Sequence, residues 1–174
     1  MHTPPTLLQT LQLQTGALCC GILTEQLHRT MGADHSHHAS HHHGAYYIVK
    51  HKPTGMVLDI RDCARHNGAT ICLWPQNGGD NQLWTYHDGV IKSKMHGKVL
   101  DVKDGHAYPG CDVILWDFNG GANQRWIPNA DGTIVTQLGN YALDVMNNAT
   151  HQGAEVKLWD RHGGANQQFK LERA

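Results

Sequence analysis

The chain has 174 residues, a length suited to one domain with perhaps a tail, and a formal net charge of −1 with histidine neutral. That near-neutral balance argues against a nucleic-acid partner, which would call for a basic stripe, and no run of 18 apolar residues offers a membrane span. Nineteen glycines and five tryptophans against two phenylalanines suggest many tight turns and a β-rich chain.

Residues 1–44 read as a largely disordered N-terminal extension. Leu7, Leu8, Leu11, Leu13, Leu18, Ile22, Leu23 and Leu27 fall loosely at helical spacing. As a signal peptide the segment is poor, because no Lys or Arg precedes the apolar part and glutamines interrupt it. Further on, His35, His37, His38, His41, His42 and His43 stand among small residues. Imidazoles at this density can bind a transition metal or switch charge near pH 6.5; the competing reading, which we favour, is a low-complexity linker. The cysteines are Cys19, Cys20, Cys63, Cys72 and Cys111, an odd number with no C-x-x-C pair. Unpaired thiols in a reducing compartment are therefore expected, which favours a cytoplasmic location. Secretion stays open, and Asn148-Ala149-Thr150 would serve as a glycosylation acceptor on that route.

From residue 45 the chain changes character. Short apolar alternations such as Val57-Leu58-Asp59-Ile60 and Gly132-Thr133-Ile134-Val135 are separated by turns such as Asn77-Gly78-Gly79-Asp80. One pattern is written three times: Leu-Asp, then Leu-Trp, then Asn-Gln-x-aromatic. Its aspartates are Asp59, Asp101 and Asp144, its outer tryptophans Trp74, Trp116 and Trp159, and its asparagines Asn81, Asn123 and Asn166. Each copy ends on an aromatic: Trp84, Trp126 and Phe169. A fixed period over whole copies is a fold-level signal and predicts about four strands per copy, twelve in all.

Strand alternation assigns faces. Leu58 and Ile60 point inward with Asp59 outward, and Leu100/Val102 and Leu143/Val145 repeat this around Asp101 and Asp144. In the second strand Ile71 and Leu73 share one face, while Cys72 and Trp74 share the other. Lys157 beside Trp159 marks that other face as the wetter one, so the three tryptophans are expected to stand outward. Trp84, Trp126 and Phe169 are expected in the core.

These three Gln-x-aromatic triplets, each in register with Leu-Asp and Leu-Trp, resemble the ricin-B-type lectin family. The resemblance implies an all-β fold, a β-trefoil of three pseudo-symmetric lobes over about 45–88, 89–131 and 132–174. It also implies a shallow sugar pocket on each lobe. Carried over, lobe α would use Asp59, Trp74 and Asn81; lobe β Asp101, Trp116 and Asn123; lobe γ Asp144, Trp159 and Asn166. Gln82, Gln124 and Gln167 would tie the pocket loop to the backbone, and Asn77, Asn119 and His162 would support it. The expected function is non-catalytic, multivalent binding of glycans, of galactose or N-acetylgalactosamine type, with no cofactor and with oligomer formation left open.

The chemistry agrees: sugar hydroxyls both donate and accept, which suits a carboxylate beside an amide, and an indole suits a half-apolar sugar face. Two departures stand out. Many members carry Gln just before the Leu-aromatic pair, where this chain has Cys72, Ile114 and Lys157. The cysteines that bridge each lobe in many members are replaced by Val57, Val99 and Ala142, and by Gln76, Phe118 and Arg161. The alternatives are a pH-sensitive protein- or membrane-binding trefoil, motivated by fifteen histidines, or a targeting module of the kind attached to glycoside hydrolases. No H-E-x-x-H, G-x-S-x-G or phosphate-loop pattern suggests catalysis.

Overall fold

The computed structural model describes residues 45–174. The N-terminal extension, its histidine tract, Cys19 and Cys20 lie outside the described residues. Among these residues twelve short strands are interspersed with six single 3₁₀ turns, one after the second and one after the third strand of each lobe. Lobe α comprises β1 (Tyr47–His51), β2 (Val57–Ile60), β3 (Ala69–Trp74) and β4 (Trp84–His87). Lobe β comprises β5 (Val90–Ser93), β6 (Val99–Val102), β7 (Val113–Trp116) and β8 (Trp126–Pro128). Lobe γ comprises β9 (Ile134–Thr136), β10 (Tyr141–Val145), β11 (Val156–Asp160) and β12 (Phe169–Arg173).

Closure comes from the outer strands of each lobe. β1 pairs antiparallel with β12 over five positions and also meets β4, while β4 pairs with β5 and β8 with β9. The inner strands form three hairpins, β2–β3, β6–β7 and β10–β11. The hairpins join each other around a pseudo-threefold axis. β3 pairs with β7 through Ala69↔Leu115, and single bridges link Asp112 to Lys157 and Cys72 to Glu155. Linking first strand to last in this way leaves little open sheet edge. This is the expected β-trefoil.

The core follows the period. Leu58, Leu100 and Leu143 are fully buried, as are Leu73, Leu115 and Leu158. Trp84, Trp126 and Phe169 are buried as expected. The two indoles donate Nε1–H to the carbonyls of Leu58 (3.3 Å) and Leu100 (2.9 Å), so a polar tip inside the barrel is satisfied. Phe169 has no such donor and packs its ring against His51, with centroids 5.2 Å apart.

Two expectations need correction. Cys63 is disulfide-bonded, so unpaired thiols are found only at Cys72 and Cys111 among the described residues. The strand face carrying Asp59 and Cys72 is also not wet: both residues are buried, as are Asp101, Ile114 and Asp144. Alternation gives the direction of a side chain but not what covers it, and the next turn of each lobe folds over this face.

Candidate functional site

Each lobe builds the same polar clamp. In lobe α the 3₁₀ turn Asp80–Gln82 sets Asn81 and Gln82 above β2. Asn81 Nδ2 and Gln82 Nε2 both donate to Asp59 Oδ2, each at 2.8 Å. In lobe β Asn123 and Gln124 donate to Asp101 Oδ2 at 2.9 and 2.6 Å, and in lobe γ Asn166 and Gln167 donate to Asp144 Oδ2 at 2.8 and 2.9 Å. The aspartates are 3–4 % exposed. These bonds converge on Oδ2 of each carboxylate, and a carboxylate oxygen without a donor keeps its accepting capacity.

Burial pushes the three carboxyls up, against the pull of their Gln and Asn donors. For Asp59 the rise reaches about 6, with nearby Asp62 adding to it. In lobe γ Asp144 also has His162 Nε2 at 3.5 Å.

The glutamines act as ties. Gln82 Nε2 also donates to the Pro75 carbonyl at 3.0 Å, while its Oε1 accepts from the Asn77 amide at 2.9 Å. Gln124 and Gln167 repeat both bonds, to Asp117 and Asn119 and to Asp160 and His162. One side chain thus holds both ends of the loop that follows the outward tryptophan. Asn77 and Asn119 serve the same loop, each accepting the amide of Gly79 or Gly121 at 2.8 Å in a side-chain-capped turn. His162 does so through Nδ1, which accepts from Gly164 at 3.0 Å and leaves Nε2 toward Asp144.

Sequence reasoning missed the glycine two residues before each clamp asparagine. A Cβ on Gly79 would lie 2.4 Å from Asn81 Oδ1, and one on Gly121 2.3 Å from Asn123 Oδ1. Gly164 is crowded instead by the His162 ring, at 2.8 Å. The signal was available, since Gly79, Gly121 and Gly164 keep the spacing of the repeat, yet Gly-Gly alone reads only as a turn.

The tryptophans stand at the rim. Trp116 is 40 % and Trp159 37 % exposed, while Trp74 is more covered. In lobe β the candidate residues line one cleft of about 310 Å³, walled by Asp101, Asp104, Trp116, Asn119 and Asn123 with Ile114 at its side. The positions lacking the expected glutamine, Cys72, Ile114 and Lys157, are the cross-strand neighbours of Asp59, Asp101 and Asp144. Lys157 turns its ammonium to Asp112 (2.8 Å) and Glu155 (3.4 Å). The three lobes therefore share a clamp and differ in its flank. Among the described residues no group of three or more His, Cys, Asp or Glu is placed to hold a metal ion, and no helix is long and apolar enough to cross a membrane.

Residues 45–169 match the ricin-type beta-trefoil lectin domain. Among solved structures, a designed threefold-symmetric protein, ThreeFoil, is 33 % identical with a TM-score of 0.69, covering 74 % of this chain and 99 % of its own. The C-terminal half of an earthworm R-type lectin, solved with GalNAc, is 29 % identical with a TM-score of 0.63, covering 75 % and 99 %. An exo-β-1,3-galactanase from Clostridium thermocellum is 32 % identical with a TM-score of 0.68, covering 75 % of this chain but 30 % of the enzyme. A comparison with curated protein sequences finds no match.

Proposed function

The chain belongs to the ricin-type beta-trefoil lectin domain family, a carbohydrate-binding family, and from that premise we propose that it is a non-catalytic, multivalent lectin with one shallow site on each lobe. The observation that carries the proposal is the thrice-repeated clamp. Two amides fix one oxygen of each buried carboxylate, and in lobe β that acid lines a pocket with the exposed Trp116.

In each lobe Oδ1 of Asp59, Asp101 or Asp144 would accept from ring hydroxyls, the charge-assisted and stronger kind of bond. Asn81, Asn123 and Asn166 would complete the polar edge, and Trp74, Trp116 and Trp159 would stack on the apolar sugar face. Galactose-type sugars suit the indole, because an axial O4 leaves a continuous patch of C–H groups on one face. The GalNAc complex of the earthworm relative supports the same class. Each shallow site would bind weakly, roughly at millimolar level, and three on one body would raise avidity by about 10² to 10⁴ where a glycan array spans them.

The likeness to about a third of a galactanase supports a second reading, in which such a domain directs an enzyme to its glycan. Both readings place sugar in the same pockets. A glycan array with the intact chain and with an Asp59→Asn/Asp101→Asn/Asp144→Asn variant tests them. The native chain should bind galactose- or N-acetylgalactosamine-terminated glycans and the folded triple variant should not. No binding by the native chain refutes the lectin reading, and retained binding by the triple variant refutes the site.

A further inference from the structure

Lobe β carries a second cleft beside its candidate pocket, of about 430 Å³. It shares Asp104, Ile114 and Trp116 with the pocket, so Trp116 stands as a partition between the two. Thr70 from β3 and Glu155 and Lys157 from lobe γ line its far side. All three lobes therefore meet here.

The opening has causes that can be read residue by residue. At the position matching Ile114, lobe α has Cys72, which is fully buried. The Arg61 side chain reaches from lobe α to the Gly153 carbonyl at 2.8 Å, bridging toward the neighbouring hairpin. Lys103 holds Arg61's place in lobe β, but its ammonium turns to Asp112 at 3.3 Å. The back of the indole differs too. A Cβ on Gly153 would touch Trp74 at 3.6 Å and one on Gly110 would touch Trp159 at 3.5 Å, whereas Gly68, at the equivalent place, has nothing within 4 Å. The Gly68 backbone thus stands farther from the Trp116 ring than its counterparts stand from theirs, although Asn67 of the same loop bonds to Asp117.

The lining mixes apolar walls with charged groups whose balance is slightly acidic. Lys103 and Lys157 share Asp112, and Lys157 also meets Glu155 at 3.4 Å. With Asp104, two ammonium groups face three carboxylates. Such a surface offers donors and acceptors to hydroxyls but no surplus cation to an acidic sugar. The pocket by itself sits at the small end of the roughly 300–1,000 Å³ usual for ligand sites, and the second cleft extends it within that range.

We propose that this cleft is a second subsite of lobe β, which takes the next residue of an uncharged oligosaccharide whose terminal galactose-type sugar occupies the Asp101 pocket. The proposal rests on the lectin reading of lobe β. It makes lobe β the oligosaccharide-selective lobe and leaves lobe α to single terminal sugars.

The test uses calorimetry on an Asp59→Asn/Asp144→Asn chain, in which lobe β alone keeps its clamp. Methyl galactoside, lactose, β-1,3-galactotriose and 6′-sialyllactose are the probes. The better of the two neutral oligosaccharides should bind about tenfold more tightly than methyl galactoside, and 6′-sialyllactose should gain nothing over lactose. Adding Thr70→Tyr, which fills the cleft, should abolish the gain and leave methyl galactoside binding unchanged. Amide NMR on the native chain supplies the same reading without the clamp variants: β-1,3-galactotriose should shift Thr70 and Lys103, and methyl galactoside should not. Equal affinities for all probes, or a gain that survives Thr70→Tyr, overturn the subsite while the galactose reading stands. Failure of methyl galactoside to bind overturns the lobe β site itself, and the subsite with it.

Discussion

Lobe α and lobe β hold the same four side chains in the same bonds, yet their surroundings differ. In lobe α Asn81 is buried, Trp74 is half-covered and Asp59 is raised to about 6. In lobe β Asn123 is partly exposed, Trp116 is the freer indole, and the carboxyl opens into a cleft that continues past it. The hydrogen bonds are dictated by the repeat, and the shape of the pocket is dictated by residues outside it, chiefly Arg61 against Lys103 and Cys72 against Ile114. A threefold fold can therefore carry three unequal sites.

Removing the clamp acid should have the largest effect. Asp59→Asn and Asp101→Asn keep an acceptor for the two amides but place an NH₂ where hydroxyls would donate. Each loses about 1.5–3 kcal/mol of bonding to a charged group, tenfold or more in sugar affinity at its own lobe. NMR titration resolves the lobes. Asp59→Asn should leave lobe β binding unchanged, and loss at lobe β would show that the two clamps are coupled.

pH should separate the lobes next. A sugar that donates to Asp59 needs the ionised form, so lobe α affinity should fall as pH drops through about 6, by roughly tenfold at pH 5. Asp101 is also raised by burial, but Asp59 is the clamp acid whose shift is large. Lobe β should accordingly hold its sugar to lower pH. Stability runs the other way. With the folded value above the unfolded one, the favourable contribution of Asp59 is complete below about 3.8 and is lost as pH rises through about 6. Asp59→Asn should consequently raise the melting temperature relative to the native chain at pH 7 and lose that advantage in acid. A constant difference across this range would contradict the buried-carboxylate account.

Gly79→Ala and Gly121→Ala drive a methyl to 2.4 or 2.3 Å of the clamp asparagine. Each should cost about 1–3 kcal/mol in chemical denaturation, as overpacking does. The smallest effect should come from the rim. Lys98 pairs with Asp117 and donates to Asn67 Oδ1 at 2.7 Å, tying the loop after Trp116 to lobe α's hairpin. Lys98→Met keeps the largely covered aliphatic stem (the side chain is 16 % exposed) and loses only the bonds to Asn67 and the exposed Asp117, so stability should change by no more than about 1 kcal/mol.

Much of this was legible in the sequence. The period placed the leucines and Trp84, Trp126 and Phe169 in the core, and set Trp74, Trp116 and Trp159 at the rim. Gln82, Gln124 and Gln167 each donate to a carbonyl of the loop that follows the outward tryptophan. The burial of Asp59 was not legible, because its cover comes from Asn81 and Gln82 some twenty residues later, and alternation speaks only of neighbours in one strand. The flanks were not legible either. Whether Arg61 reaches Gly153, or Lys103 turns to Asp112, depends on contacts between lobes that no repeat encodes. The disulfide at Cys63 escaped as well, because an odd count and the absence of any cysteine at the repeat offset give no pairing rule.

If the outward indoles and clamp acids form sugar sites while the inner aromatics only build the barrel, the two sets of tryptophans respond differently to sugar. The most direct test is an NMR titration of the five tryptophan indole N–H signals with methyl galactoside. Trp74, Trp116 and Trp159 should shift with saturable, roughly millimolar curves, while Trp84 and Trp126, bonded to the Leu58 and Leu100 carbonyls, should stay fixed. Unmoved outer indoles, or shifts confined to Trp84 and Trp126, would contradict it.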